Sequence, residues 1–264
     1  MHMFKPSTEK IKLLSKVYQK SVKQLESVFN NTTSVYIDFA NVIHWSEKLK
    51  WHIDLKRLKQ LLNSFDTIKY VHFYNGLLEN NKNSENIINE AGKLGYLVTT
   101  KAVKKMKLSI DVSGIQKNSP SLLQKFIKKS LLNKFSIETI EYLNNELKEL
   151  NNRGIRFIEH WKCNFDVELG RDLLIDLEHN KINNYILWSG DSDFADPVYQ
   201  LIQNKKSVTI FSTARRITPE LEATGVLIFE IWKIKDFICW NKEISKEVKK
   251  NLTYKCKKDS ARSP

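Results

Sequence analysis

The chain has 264 residues, 41% of them hydrophobic and 11% aromatic, a composition that suits a packed core in one large domain or a domain with appendages. No apolar run is long enough to cross a bilayer, and the three scattered cysteines (Cys163, Cys239, Cys256) exclude a disulfide framework or a cysteine-rich zinc site, so a reducing, cytoplasmic setting is expected. The net charge of +13 points to a polyanionic partner, and it is concentrated: residues 101–134 hold nine lysines against Asp111 alone, and residues 242–264 hold eight Lys/Arg against Glu243, Glu247 and Asp259.

Residues 7–30 carry apolar side chains at helical spacing and predict one helix, which forms an N-terminal segment over 1–33. The run 34–39 then predicts a short strand ending in the polar corner Asp38 to Asn41. A helix is expected over 52–65 with Asp54 as its cap, a strand over 69–76, a helix over 84–94 and a strand over 96–103. Residues 104–150 interrupt this rhythm as a basic, helical insertion. Residues 156–161 read as strand or loop, and 165–179 as a helix with Phe165, Leu169, Leu173 and Leu177 on one face. A strand begins at 184 and runs into the polar turn ending at Phe194. Asp196-Pro197 opens a further helix, and 207–212 and 226–231 supply two more strands. Residues 241–264 form a basic, weakly ordered tail. Strands alternating with helices, several of them continuously apolar, predict a mostly parallel central sheet covered on both faces.

Two strand ends carry the chemistry. Asp38 and Asn41 close the first strand; Asp191 and Asp193 close the strand at 184–188, with Ser189 between. Ligands of an open α/β sheet bind outside the carboxyl ends of its strands, near the point where strand order reverses. Asp166 opens the helix before that second strand. Carboxylates gathered in one place repel and raise one another's pKa, a penalty that a divalent cation removes. Magnesium and manganese accept such oxygen donors. Each acid has a structural reading beside this one. Asp54 and Asp196 read as caps, and Asp191-Ser192-Asp193 reads equally as a turn with a cap. Asp172 lies six residues after Asp166, about 120° around an ideal helix, so the two do not share a face. His44, His52, His72, His160 and His179 show no ligand spacing. Trp45 and Trp51 read as core residues, or as platforms for bases.

The stretches 37–42 (IDFANV), 165–174 (FDVELGRDLL) and 187–211 (LWSGDSDFADPVYQLIQNKKSVTIF) resemble the signature blocks of the NYN domain, in the PIN-like nuclease superfamily. The resemblance runs over residues 34–240, with about 104–150 outside the pattern and Lys162-Cys163-Asn164-Phe165 where the family usually has a lysine-glycine turn. It implies a Rossmann-like three-layer α/β/α sandwich that binds Mg²⁺ or Mn²⁺ and cleaves RNA, as an endonuclease. Asp38, Asn41, Asp166, Asp191 and Asp193 fall on the catalytic positions, the four aspartates as metal ligands. Asp172 and Ser189 would stand behind them. Lys101, Lys104, Lys105, Lys107, Arg215 and Arg216 are the expected RNA contacts. A non-catalytic RNA-binding protein on the same fold and a DNA or flap-type nuclease remain alternatives at this stage. The oligomeric state is open, a homodimer included.

Overall fold

The computed structural model describes residues 4–43, 49–179, 181–213, 217–246 and 248–249. Two compact units divide the chain, one formed by 1–102 with 163–264 and the other by 103–162.

The larger unit begins with α1 (Glu9–Val17) and α2 (Gln19–Val28) in place of the one helix expected over 7–30. Thr8 caps α1 by accepting from the Ile11 N–H. The break falls at Tyr18, whose backbone (φ −108°, ψ 46°) leaves the helical region. That departure turns its ring onto Phe237 and lets its hydroxyl donate to Asp236. Apolar periodicity runs straight through such a joint, because both helices bury the same stripe.

Next come β1 (Thr33–Asp38), the single helical turn α3 (Phe39–Val42), α4 (Leu55–Leu62), β2 (Ile68–Leu77), α5 (Lys82–Lys93) and β3 (Leu97–Ala102). Asp54 caps α4, accepting from the Arg57 N–H at 3.0 Å as the sequence predicts. The smaller unit then supplies β4 (Lys104–Ser109), α6 (Lys129–Leu132), α7 (Ile137–Asn152) and β5 (Phe157–Lys162). The chain returns through α8 (Asp166–Glu178), β6 (Asn184–Trp188), α9 (Ala195–Gln203), β7 (Ser207–Ser212), α10 (Pro219–Glu222), β8 (Leu227–Glu230) and α11 (Lys235–Ile238).

Six strands form one sheet in the order β3-β2-β1-β6-β7-β8, and every pairing is parallel. Order runs outward from β1 in one direction and from β6 in the other, so the switch point lies between these two strands. Both are buried along their whole length. Alternate residues feed opposite cores. Val35, Ile37, Ile186 and Trp188 join α1, α2, α4, α5 and α11 on one face, and Tyr36, Tyr185 and Leu187 join α8, α9 and α10 on the other. This is the three-layer α/β/α sandwich that the sequence predicts.

The smaller unit differs from the expected helical insertion. It opens and closes with strands, β4 and β5, which pair antiparallel from Lys104↔Lys162 to Ser109↔Phe157. The helices lie between them, and Leu123, Leu132 and Ile140 form their small core. Asn151 holds the base of this ribbon: its amide donates to the Ile110 and Ile155 carbonyls and accepts from the Val112 N–H. Met106, Leu108 and Ile110 alternate here with Lys105, Lys107 and Ser109, a short period-2 signal that the basic, helical reading of 104–150 passes over.

Candidate metal centre

Parallel pairing sets Ile37 opposite Trp188, so the next residues, Asp38 and Ser189, leave the sheet side by side. Ser189 is fully buried and donates its hydroxyl to Asp38 at 3.0 Å. Asp38 also caps α3, accepting from the Asn41 N–H at 3.3 Å. The structure thus places Asn41 next to Asp38 through its main chain. Burial, with lesser contributions from the charges of Asp166 and Asp191, pushes the Asp38 carboxyl up to about 6 against these two hydrogen bonds.

Beyond Ser189 the chain makes a tight 3₁₀ turn over Ser192–Phe194. Phe194 is fully buried and anchors the turn, while the Asp191 carboxylate accepts from the Asp193 N–H at 3.5 Å. A turn former and a candidate ligand are therefore the same residue. The local bond fixes the loop, and the carboxylate keeps further lone pairs for other partners.

Asp166 arrives from α8, whose start is held by the fully buried ring of Phe165. Asn164, in the stretch that stands where the family has lysine-glycine, donates its amide to the Asp166 carboxylate. Asp166, Asp191 and Asp193 come together, each offering a carboxylate oxygen within 4.8 Å of the others. Partial burial, then the charges of Asp193 and Asp191, hold the Asp166 carboxyl above the usual carboxylate range. Among the described residues no lysine, arginine or histidine forms an ion pair with any of the three, or with Asp38. An open cleft lined by Asp166, Asp193, Asp196, Tyr199 and Glu220 leads to the group. In a chain of net charge +13, these acids are concentrated and, among the described residues, have no cationic partner.

The other expected site residues are placed as follows. Asp172 stands apart from the three and faces the sheet, accepting from the Tyr74 hydroxyl at 2.9 Å and from Arg171 at 2.8 Å. Lys101, at the end of β3, contacts both carboxylate oxygens of Glu168 at 2.7 Å and lies over the Phe165 ring, so it braces the first turn of α8. Lys104, Lys105 and Lys107 are exposed on β4. Arg215, Arg216, His44, Trp45 and the tail beyond 250 lie outside the described residues. Trp51 is 4% exposed and belongs to the core, which removes it as a base platform.

Sequence reasoning missed Asp176. Its carboxylate accepts from Tyr36 and, at 3.3 Å, from Ser34, and His72 Nε2 stands 3.5 Å away. Asp172 and Asp176 are four residues apart, one turn, on the face that also buries Leu169 and Leu173. Two acids in register with a core stripe, beneath strands bearing Tyr36, His72 and Tyr74, were the available signal.

Residues 114–225 match the family model of the NYN domain, a domain of the PIN-like nuclease superfamily. The match contains Asp166, Asp191 and Asp193, begins after Asp38, and includes most of the 104–150 segment that the sequence resemblance leaves out. No curated protein matches. Among solved structures, a crystal structure of a protein of unknown function from Vibrio parahaemolyticus is similar at a TM-score of 0.49 and 15% identity, over 79% of this chain and 95% of that one. No helix among the described residues is long and apolar enough to cross a membrane.

Proposed function

We propose that this NYN-domain chain is a divalent-metal-dependent ribonuclease that hydrolyses phosphodiester bonds within RNA. The observation that carries the reading is the convergence of Asp166, at the start of α8, with Asp191 and Asp193, in the turn after β6, without a cationic partner among the described residues. Three hard oxygen donors in so small a space fit Mg²⁺ or Mn²⁺, and NYN and PIN-like nucleases generally use divalent metals. Such an ion, when bound, supplies charge neutralisation at the attacked phosphate and lowers the pKa of water.

The protein's own groups then have distinct tasks. Asp166, Asp191 and Asp193 would hold the ion. Asp38, buried beside them, adds a fourth carboxylate whose orientation is fixed by Ser189 and by the Asn41 N–H. Its raised pKa means that below about pH 6 a cation would have to displace a proton from it, so affinity for the ion would fall as pH drops. Asn41 offers a neutral amide at the same edge for the scissile phosphate. Asp172 and Asp176 act behind them, tying α8 to β1 and β2.

The competing reading is a binding protein that hydrolyses nothing. Unneutralised acids weaken binding of a polyanion, so a pure binder gains nothing from keeping them together. Incubation of labelled RNA and of single- and double-stranded DNA, with Mn²⁺, with Mg²⁺ and with excess chelator, separates the cases. Expected is cleavage of RNA that requires the metal and is lost in Asp166→Asn and Asp191→Asn with the fold intact. Cleavage that survives chelation would reject the reading, and preferential cleavage of DNA would transfer it to a DNA nuclease.

A further inference from the structure

The β4–β5 ribbon presents a face that neither the aspartate group nor the domain match explains. Residues opposite one another in an antiparallel pair share a face, so Lys105, Lys107 and Ser109 stand with Trp161, Glu159 and Phe157. Trp161 is 52% exposed and Phe157 54%, large apolar rings held in water on a short two-stranded sheet. They lie four residues apart on one strand, hence about 13 Å. Between them Glu159 is engaged by Lys105, whose ammonium also sits 5.4 Å from the Trp161 ring centroid. That contact braces the indole and neutralises the one acid of the face. Lys107 on this face and Lys104 on the other are exposed as well.

We infer that this face of the ribbon is a binding surface for single-stranded nucleic acid, with Trp161 and Phe157 stacking on bases and Lys107 meeting a phosphate. The inference rests on the proposal that the substrate is a polynucleotide, and it adds that the strand is bound unpaired. Charge complementarity selects the occupant: residues 101–134 carry nine lysines against one acid, and a polynucleotide alone offers regular negative charge together with flat apolar faces. Duplex bases are stacked on one another and have no free face for the rings. Stacking is indifferent to base identity, so the surface grips strands with little sequence preference.

The test is fluorescence anisotropy of the full chain with a short labelled oligouridylate and with duplex RNA of equal length, in excess chelator so that nothing is cut. The Trp161→Ala/Phe157→Ala variant should lose tenfold or more in affinity for the single strand and little for the duplex. The rings are exposed, so the variant should keep the native melting temperature, and Trp161→Tyr should retain most of the binding. Lys107→Ala should weaken both ligands and lower the salt dependence of log K for the single strand by about 0.7. Unchanged single-strand affinity in the aromatic variant overturns the inference. So does loss of a concentration-dependent dimer in that variant with binding intact, since a second copy would then be the occupant. Binding in chelator by Asp191→Asn keeps this outcome separate from the fate of the hydrolytic reading.

Discussion

Tyr36, at the centre of β1, donates its hydroxyl to the carboxylate of Asp176 on α8, and both the phenol and the strand around it are buried. His72 is stacked on Tyr36, with ring planes 4° apart, and one turn earlier on the same helix Asp172 receives the Tyr74 hydroxyl. The helix whose first residue is Asp166 is thus pinned to the sheet by polar contacts as well as by Leu169 and Leu173. The consequence is rotational: a stripe of leucines tolerates small rotations of a helix, whereas directional hydrogen bonds to fixed strands do not.

Removing one member of the Tyr36–Asp176 pair should therefore cost both stability and function. Tyr36→Phe leaves the half-buried carboxylate short of a donor, and is expected to lower unfolding free energy by about 1–2 kcal/mol. Urea denaturation measures this. Nuclease activity of the folded variant should fall as well, with no change in the metal required.

Asp176 also predicts an acid response. Although burial opposes its ionisation, the nearby His72 ring and hydrogen bonds from Tyr36 and Ser34 bring its carboxyl below the ordinary carboxylate value. A depressed carboxylate contributes stability that is present above its unfolded pKa, about 4, and lost as pH falls through the lower folded value. Stability should consequently decline below about pH 4 in the native chain. Asp176→Asn should flatten that decline. An equally steep acid limb in the variant would show that other groups govern it.

Repulsion among Asp166, Asp191 and Asp193 is a cost borne by the metal-free protein. Asp191→Asn should raise its melting temperature by about 2–4 °C, corresponding to roughly 1 kcal/mol. Addition of Mn²⁺ should raise the melting temperature of the native chain, and this shift should shrink or vanish in the variant. A scanning thermal-shift titration gives both numbers. A variant that is less stable without metal, or that responds to Mn²⁺ as the native chain does, would contradict the assignment.

Arg57 offers a prediction away from the site. It is 7% exposed and donates from α4 to the carbonyls of Asp236 and Cys239, at the two ends of the last turn of chain in α11. Arg57→Met keeps much of the side-chain volume and abandons two buried acceptors. It should destabilise the protein by about 2–5 kcal/mol, read from chemical denaturation. Activity per folded molecule should be retained.

Much of the sandwich is local information. The apolar runs of β1, β6 and β7, the cap at Asp54, and the leucine stripe of α8 are set by residues that touch neighbours within a turn or a strand, so period and spacing reveal them. The same holds for the candidate acids as types: Asp38 and Asp191 follow buried strands, and Asp166 opens a helix. What sequence could not supply is distance. Asp166 and Asp191 are joined only because β6 lies against β1 and α8 crosses that edge. The Tyr18 break, the Asp176 tether and the β4–β5 ribbon likewise depend on partners distant in the chain. Period is fixed by the backbone's own geometry, but convergence is fixed by packing between segments that the chain itself separates.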